Sequence, residues 1–328
     1  MVWLYFGMHA ILAKMIYLDS QVQRRLDQDL AILKKLRPLP PTAVAKLKEQ
    51  FAVEMTYNSN SIEGNTLTLK ETHLVLNEGI TIKGKSLKDH LEAKNHHEAL
   101  HYLYELVDHK AKNTVSEQLI RSLQQMIVRE TGSSVAGKYR SGAVIITGSK
   151  HVPPDAHEVP HQMQRLIRWF KDQEDRLHPI ELAAIAHHKF VHIHPFFDGN
   201  GRAARLFLNL ILMQKGYPLV IILKHDRKKY YNVLQKADAG DLKPIVRFIA
   251  QSVERSLHIH LKVLQPQKKK QKKYLPLSTI APETPYSEKY LNLLARFGRI
   301  EAHKEGRIWV STLEAVKVYQ AGRLRKRT

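Results

Sequence analysis

Between Asp19 and Leu264 the apolar residues recur at helical spacing, and one stretch breaks the pattern. That stretch, SGAVIITGSKHVPP from Ser141 to Pro154, carries a β-branched run, a Gly-Ser-Lys turn and then paired prolines, so it reads as a β-hairpin. Helical periodicity on both sides of one short hairpin restricts the chain to a mainly α fold, a helical bundle with a small β flap. Helices are expected over 19–36, stopping at Pro38 to Pro41, and over 42–58, 72–108, 115–131, 157–175, 178–192 and 200–215, the last ending at Gly216 ahead of Pro218. Two more, over 226–238 and 242–264, complete the bundle.

The chain has 328 residues, enough for about two domains. With 43% hydrophobic and 25% charged residues it is not a disordered polymer. Cysteine is absent, which excludes disulfides, thiolate zinc sites and a cysteine nucleophile, and fits a reducing, cytoplasmic setting. The net charge of +21 suggests a polyanionic partner such as nucleic acid or nucleotide phosphate, and +11 of it lies in residues 261–328. The shift begins at QPQKKKQKK, which reads as a solvated basic linker over 265–273. The expected organisation is a helical N-terminal extension (1–58), a main unit (59–264), the linker, and a small C-terminal module (274–328). Residues 1–18 are apolar but interrupted by His9 and Lys14. They lack a basic n-region and cleavage site and are too short to span a bilayer, so a core or amphipathic helix is expected there, or an over-extended start with Met8 or Met15 as the true first residue.

The chemistry concentrates in HPFFDGNGRAAR, His194 to Arg205, between two expected helices. Gly199, Asn200 and Gly201 can turn successive N–H groups inward, and the next helix aims its N-terminus at the same point, which makes an anion nest suited to phosphate. Arg202 and Arg205, three apart on the first turn, can face that anion. Asp198 is placed to hold Mg²⁺ beside phosphates. His194 can act as a general base near neutral pH, Pro195 stiffens the loop and Phe196 anchors it. Each feature alone is commonly structural; their combination in one uninterrupted loop points to phosphate chemistry.

HPFFDGNGRAAR resembles the signature of the Fic family of nucleotidyltransferases, HPFx[DE]GNGRxxR, at every defined position. The resemblance runs from about Ser59 to Arg247 and includes GKYRSGAVIITGSKHVPP and YYNVLQKADAGDLKPIVRFI. It implies a helical bundle with a hairpin flap and transfer of AMP from ATP to a Tyr, Thr or Ser hydroxyl of a target protein, or of the enzyme itself, with release of pyrophosphate. It further implies His194 as the base, Asp198 as the Mg²⁺ ligand, Gly199, Asn200 and Gly201 as the nest, and Arg202 and Arg205 as phosphate clamps. Tyr230, Tyr231, Leu234 and Asp238 match positions lining the adenine and ribose pocket, although some relatives carry Asn in place of Asp238. The flap residues Ile145, Ile146, Thr147, Gly148, Ser149, Lys150 and His151 would pair with an extended target segment.

Ser59-Asn60-Ser61-Ile62-Glu63-Gly64-Asn65 is similar to the family's inhibitory pattern, [ST]xxxE[GN], placed N-terminal to the core. The resemblance implies that Glu63 pairs with Arg205 and keeps ATP out of its attack-ready pose. His187, His188 and His192 lie near the signature, but no carboxylate follows at metalloprotease spacing, so packing or solvent contact is expected for them.

The C-terminal module offers a helix capped by Ser287 and running to Phe297, a hairpin over Arg299–Ser311 turning at Glu305-Gly306, and a last helix over 312–320. It resembles winged helix-turn-helix modules appended to bacterial Fic proteins. Pro282 and Pro285, however, leave room for little more than a turn as its first helix. Lys289, Arg296, Arg299, Lys304 and Arg307 would form a basic face for DNA; the alternative is a target-docking or dimerising wing. Other readings are removal of AMP with Glu63 positioning water, transfer of another nucleotide or phosphate, and a DNA-binding regulator whose core senses nucleotide. No membrane partner is expected, and a homo-oligomer is left open.

Overall fold

A computed structural model of the chain describes residues 17–36, 41–108, 115–146, 149, 151–264 and 274–324. The expectation for the first 16 residues and that for the basic linker lie outside them, as do Thr147, Gly148 and Lys150 of the flap. Helices dominate: α1 (Ser20–Lys35), α2 (Pro41–Ile62), α3 (Leu69–Asn77), α4 (Leu87–Asp108), α5 (Glu117–Val128), α6 (Val159–Gln173), α7 (Pro179–Ile193), α8 (Asn200–Gln214), α9 (Arg227–Asp238) and α10 (Lys243–Leu264). The C-terminal part holds β1 (Leu275–Pro276), α11 (Leu277–Ile280), α12 (Glu288–Arg296), β2 (Ala302–Glu305), β3 (Ile308–Ser311) and α13 (Leu313–Leu324). None of the described helices is long and apolar enough to cross a membrane.

α7 and α8 form the centre of the bundle, and their burial decides where the signature loop can go. α8 is buried on all sides from Arg202 to Met213, so its polar N-terminal residues have no surface to escape to. α10 packs on α1, α7 and α9, and α4 packs on α2, α5 and α8. The expected helix over 72–108 is two helices: α3 ends at Asn77, and Gly79 and Gly84 adopt φ of +67° and +80° in the connection. α2 runs past the expected end at 58 to Ile62, so the Ser59 motif forms its last turn. The segment expected as a hairpin forms no β-ladder among its described residues. Within it the Ser149 N–H donates to the Ile146 carbonyl (3.1 Å).

Among the described residues the sheet lies elsewhere. β3 pairs antiparallel with both β1 and β2, in the order β1-β3-β2. It covers a second apolar cluster built on Leu277, Ile280, Leu291, Leu294, Trp309 and Val316, separate from the large core that runs from Leu18 to Leu264. Ser287 caps α12 by accepting from the Tyr290 N–H (3.3 Å). The C-terminal part docks on the bundle through polar contacts. Arg25 reaches the Gly298 carbonyl, Gln251 donates to the Arg296 carbonyl (2.8 Å), and Lys304 pairs with Asp226 (2.8 Å).

Candidate active site

The loop between α7 and α8 starts from a strained residue. His194 has φ 50° and ψ 60°, and among the described residues it alone combines a side chain with a positive φ. Such a conformation costs of order 1 kcal/mol and persists only where neighbours enforce it. Here the enforcer is Arg140, which is buried. Its Nε donates to the His194 carbonyl (2.9 Å), its Nη1 to the Gly142 carbonyl (3.0 Å), and its Nη2 to the carbonyls of Pro154 and, at 3.5 Å, Ile193. The Arg140 N–H donates to the Pro195 carbonyl (2.9 Å). One guanidinium therefore ties both ends of the flap to the turn that presents His194. Burial lowers the His194 imidazole to about 4; Arg140 and His151 add to this, while the Val191 carbonyl and Glu63 oppose it. The ring is neutral at pH 7, with Nδ1 buried and without a hydrogen bond of good geometry among the described residues.

The rest of the loop is held by its own side chains. Phe196 is fully buried against Tyr139 and Phe190. Asn200 Oδ1 accepts from the Phe196 N–H (2.9 Å) and its Nδ2 donates to the Phe196 carbonyl (2.7 Å), closing the turn. Gln124 on α5 donates to the Asp198 carbonyl (2.9 Å) and accepts from the Gly137 N–H (2.6 Å), which joins the loop to the segment leading to the flap. Gly199, the N-cap residue of α8, has φ 81° and no side chain to satisfy the first-turn N–H groups. Those groups and the helix dipole remain available to an anion.

Glu63 is the anion at that place. Its Oε1 accepts from Arg205 Nη2 at 2.8 Å, and Ser59 accepts from the same guanidinium through its hydroxyl (Nε, 2.9 Å) and carbonyl (Nη2, 2.8 Å). A Cβ on Gly201 would overlap Glu63 Oε1 and lie 2.9 Å from its carboxyl carbon, so the carboxylate sits directly on the first turn of α8. Arg205 is 1% exposed; burial works against its charge, but the Glu63 carboxylate together with Tyr230 and Tyr231 outweighs it and raises the pKa. Its Nη1 makes no hydrogen bond of good geometry among the described residues and lies 3.1 Å from the Gly201 Cβ position. Arg202, equally buried, pairs with Asp198 Oδ1 (2.9 Å) and with Glu92 on α4 (3.2 Å). Two buried arginines and a helix N-terminus thus converge on one point.

The Fic/DOC family profile matches residues 114–212. A Fic domain containing signaling protein from Bacteroides thetaiotaomicron superposes with a TM-score of 0.68 at 32% identity, over 73% of this chain and 96% of that one. This chain belongs to the Fic/DOC family. Fic-1 from C. elegans is similar at 32% identity and TM-score 0.66, over 74% of this chain and 72% of that chain. A protein adenylyltransferase Fic of Nematostella vectensis is 36% identical over 254 residues, 76% of this chain; the match spans 58% of that relative's length.

The remaining expected Fic residues divide into two groups. Tyr230 is buried and its hydroxyl donates to His187 Nε2 (2.8 Å), because His187 Nδ1 must donate to the Ala204 carbonyl (3.0 Å). Burial keeps His187 neutral, near 3. Leu234 is also buried, and Tyr231 lies under Arg227 with its hydroxyl 3.5 Å from the Ile62 carbonyl, at the end of α2. Asp238 faces a cavity of about 520 Å³ whose wall includes Trp169, His188, Lys189, His192 and Ile193. His188 and His192 both donate to Asp238 Oδ1 (2.9 and 3.0 Å), and despite burial this holds its carboxyl below the usual range. The carboxylate that the histidines lack along their own helix comes from α9. Of the described flap residues, Ile145 is 94% exposed, while His151 donates to the His192 carbonyl (2.7 Å) and rests on its ring. Sequence reasoning missed Arg140, Gln124, Glu92 and the His187 bridge. Arg140 sat inside a quoted family segment with nothing local to separate it from a surface arginine, and Glu92 is linked to Arg202 only by the packing of α4 on α8.

Proposed function

We propose that this chain is a self-inhibited protein adenylyltransferase that moves AMP from ATP to a Tyr, Thr or Ser hydroxyl of a target protein. The observation that carries the reading is the Glu63 carboxylate seated on the first turn of α8 and paired with Arg205, because the groups that hold this anion suit a nucleotide phosphate. In the reaction, the target hydroxyl oxygen forms a bond to the α-phosphorus while the bond from the α-phosphorus to the β-bridging oxygen breaks. Pyrophosphate leaves with that electron pair, and the hydroxyl proton passes to His194. A neutral imidazole on a fixed turn is suited to accept it. The rate would come mainly from positioning and charge neutralisation by Arg202, Arg205 and the α8 N-terminus. Asp198 suits magnesium: it is half exposed, one oxygen accepts from Arg202 and the Gly199 N–H, and the other makes no hydrogen bond among the described residues. Bound magnesium supplies charge neutralisation at the phosphates. The cavity beside Asp238 is of nucleotide size. In this reading Asp238, an acceptor, faces the base, and Tyr231 and Leu234 lie on the same helix about two turns and one turn before it. The flap would pair with an extended target strand.

Incubation of the protein with ATP labelled at the α-phosphate tests the reading. Label should enter the protein itself or lysate proteins, more strongly with Glu63→Gly and not with His194→Ala. Label transferred from the γ-phosphate instead would reassign the site to phosphate transfer.

A further inference from the structure

A second cluster of metal-binding side chains lies far from the signature, where the C-terminal part meets α10. His258 projects from α10, and His303 and Glu305 project from β2; one ligand atom from each falls within 4.8 Å of the others. The two imidazoles are stacked, with ring centroids 3.9 Å apart and an angle of 32° between planes. Tyr274 closes one side edge-on to both, at 4.4 and 4.7 Å. His303 is 4% exposed, yet its Nε2 has no hydrogen-bond partner among the described residues. Glu305 Oε1 lies 3.5 Å away without making a hydrogen bond to it. A buried ring nitrogen without a partner is uncommon enough to call for an ion or a water.

We propose that His258, His303 and Glu305 form a site for a divalent transition-metal ion, zinc foremost, that clamps the C-terminal module to α10. Two imidazole nitrogens and one carboxylate oxygen are a recurrent zinc set, and they leave a further position for water. Glu305 is half exposed, which gives the ion a route in and the water a place to sit. With no cysteine in the chain, the ligands are nitrogen and oxygen alone. The ion would bridge residues on either side of 265–273. It would also fix β2, whose Lys304 reaches Asp226 at the start of α9, so the clamp bears on the helix that carries Tyr230 and Asp238.

The untagged, chelator-treated full-length protein is titrated with Zn²⁺ by calorimetry and with Co²⁺ by visible absorption. The expected result is one equivalent bound per chain at micromolar or lower concentration, with d–d bands of a low-coordinate nitrogen and oxygen site. His258→Ala and Glu305→Gln should each weaken binding at least about tenfold, a loss that even changes outside the ligand shell can produce. Glu305→Gln alters a half-exposed side chain, so it remains informative if the histidine variant folds poorly. His192→Ala serves as the control, because His151, His192 and Asp238 form the other cluster of suitable geometry among the described residues. The proposal is overturned if the protein takes up no Zn²⁺. It is also overturned if His258→Ala and Glu305→Gln bind as the parent does, or if His192→Ala alone abolishes binding.

Discussion

At the scale of single residues, Glu63 carries the regulatory argument. Replacing it with glycine frees Arg205 and the α8 N-terminus for an incoming phosphate. Glu63→Gly should therefore raise AMP incorporation by at least about tenfold, the equivalent of one displaced charge-assisted contact. Glu63→Gly with Arg205→Ala should lose the gain, because the freed guanidinium is then gone. If the single variant binds ATP well and labels no faster, Glu63 is not the brake. His194 yields a pH test. Burial places its imidazole near 4, so the base stays deprotonated across neutral pH. The kcat/KM for AMP transfer should then be level from about pH 8 down to pH 5 and fall only below that, as the ring takes up a proton; an acid limb near 6.5 would mean a solvent-like histidine. His194 was legible in the sequence, since a loop whose nest, arginines and histidine are contiguous needs no tertiary information, whereas Glu63 was reached only through the resemblance of its distant motif. The partners that set their state were not. The depressed His194 pKa depends on burial and on Arg140, which lies 54 positions away.

At the scale of elements, the flap and the α7–α8 turn act as one unit through Arg140. Arg140→Lys keeps the charge but cannot reach four carbonyls with one planar fork. Transfer to a protein target should fall roughly ten- to a hundredfold, as a small misplacement of the base and of the docking segment would produce. ATP affinity should change little, since none of the Arg140 contacts belongs to the α8 nest. The flap should also become more susceptible to protease. An equal loss of ATP affinity would show that Arg140 supports the whole fold rather than the turn. Most helix bounds were readable because periodicity and caps are local; α7 and α8 lie within a residue of expectation. The helix expected over 72–108 failed at its middle, where α3 ends at Asn77 and α4 begins at Leu87. Only the positive φ of Gly79 and Gly84 shows that the chain turns there. The hairpin reading rested on β-branched residues, but a segment whose ends are held by a guanidinium needs no ladder of its own.

At the scale of the whole molecule, buried histidines set the acid limit of stability. His96 and His187 are buried within the bundle, and burial depresses both. A base with a depressed folded pKa contributes stability that is present above its unfolded value and lost as pH falls. Each fully buried histidine should cost about 1.4 kcal/mol per pH unit below roughly 6.5. Glu254, pushed up to about 7 by burial, binds a proton in the folded state and offsets one such group. The melting temperature should consequently drop between pH 7 and pH 5, and a flat profile would contradict the burial of these rings. The C-terminal module supplies the last test. The sequence offered five basic residues for DNA, but Lys304 is spent on Asp226 and Arg299 lies 3.4 Å from Asp19, so both face the bundle. Lys289, Arg296 and Arg307 remain, and at about 0.9 per phosphate they give a salt slope of about −2.7 where five residues would have given about −4.5. Docking should instead show in stability. Gly298 has φ 67°, and a Cβ there would come within 2.7 Å of Val22 on α1. Gly298→Ala should therefore loosen the module from the bundle at a cost of about 1–2 kcal/mol, from the backbone conformation and the forced separation together. Thermal unfolding of the full-length variant measures the cost, and faster cleavage within 265–273 reports the loosening. An unchanged melting temperature and cleavage rate would mean that the module is held to the bundle by other contacts than this one.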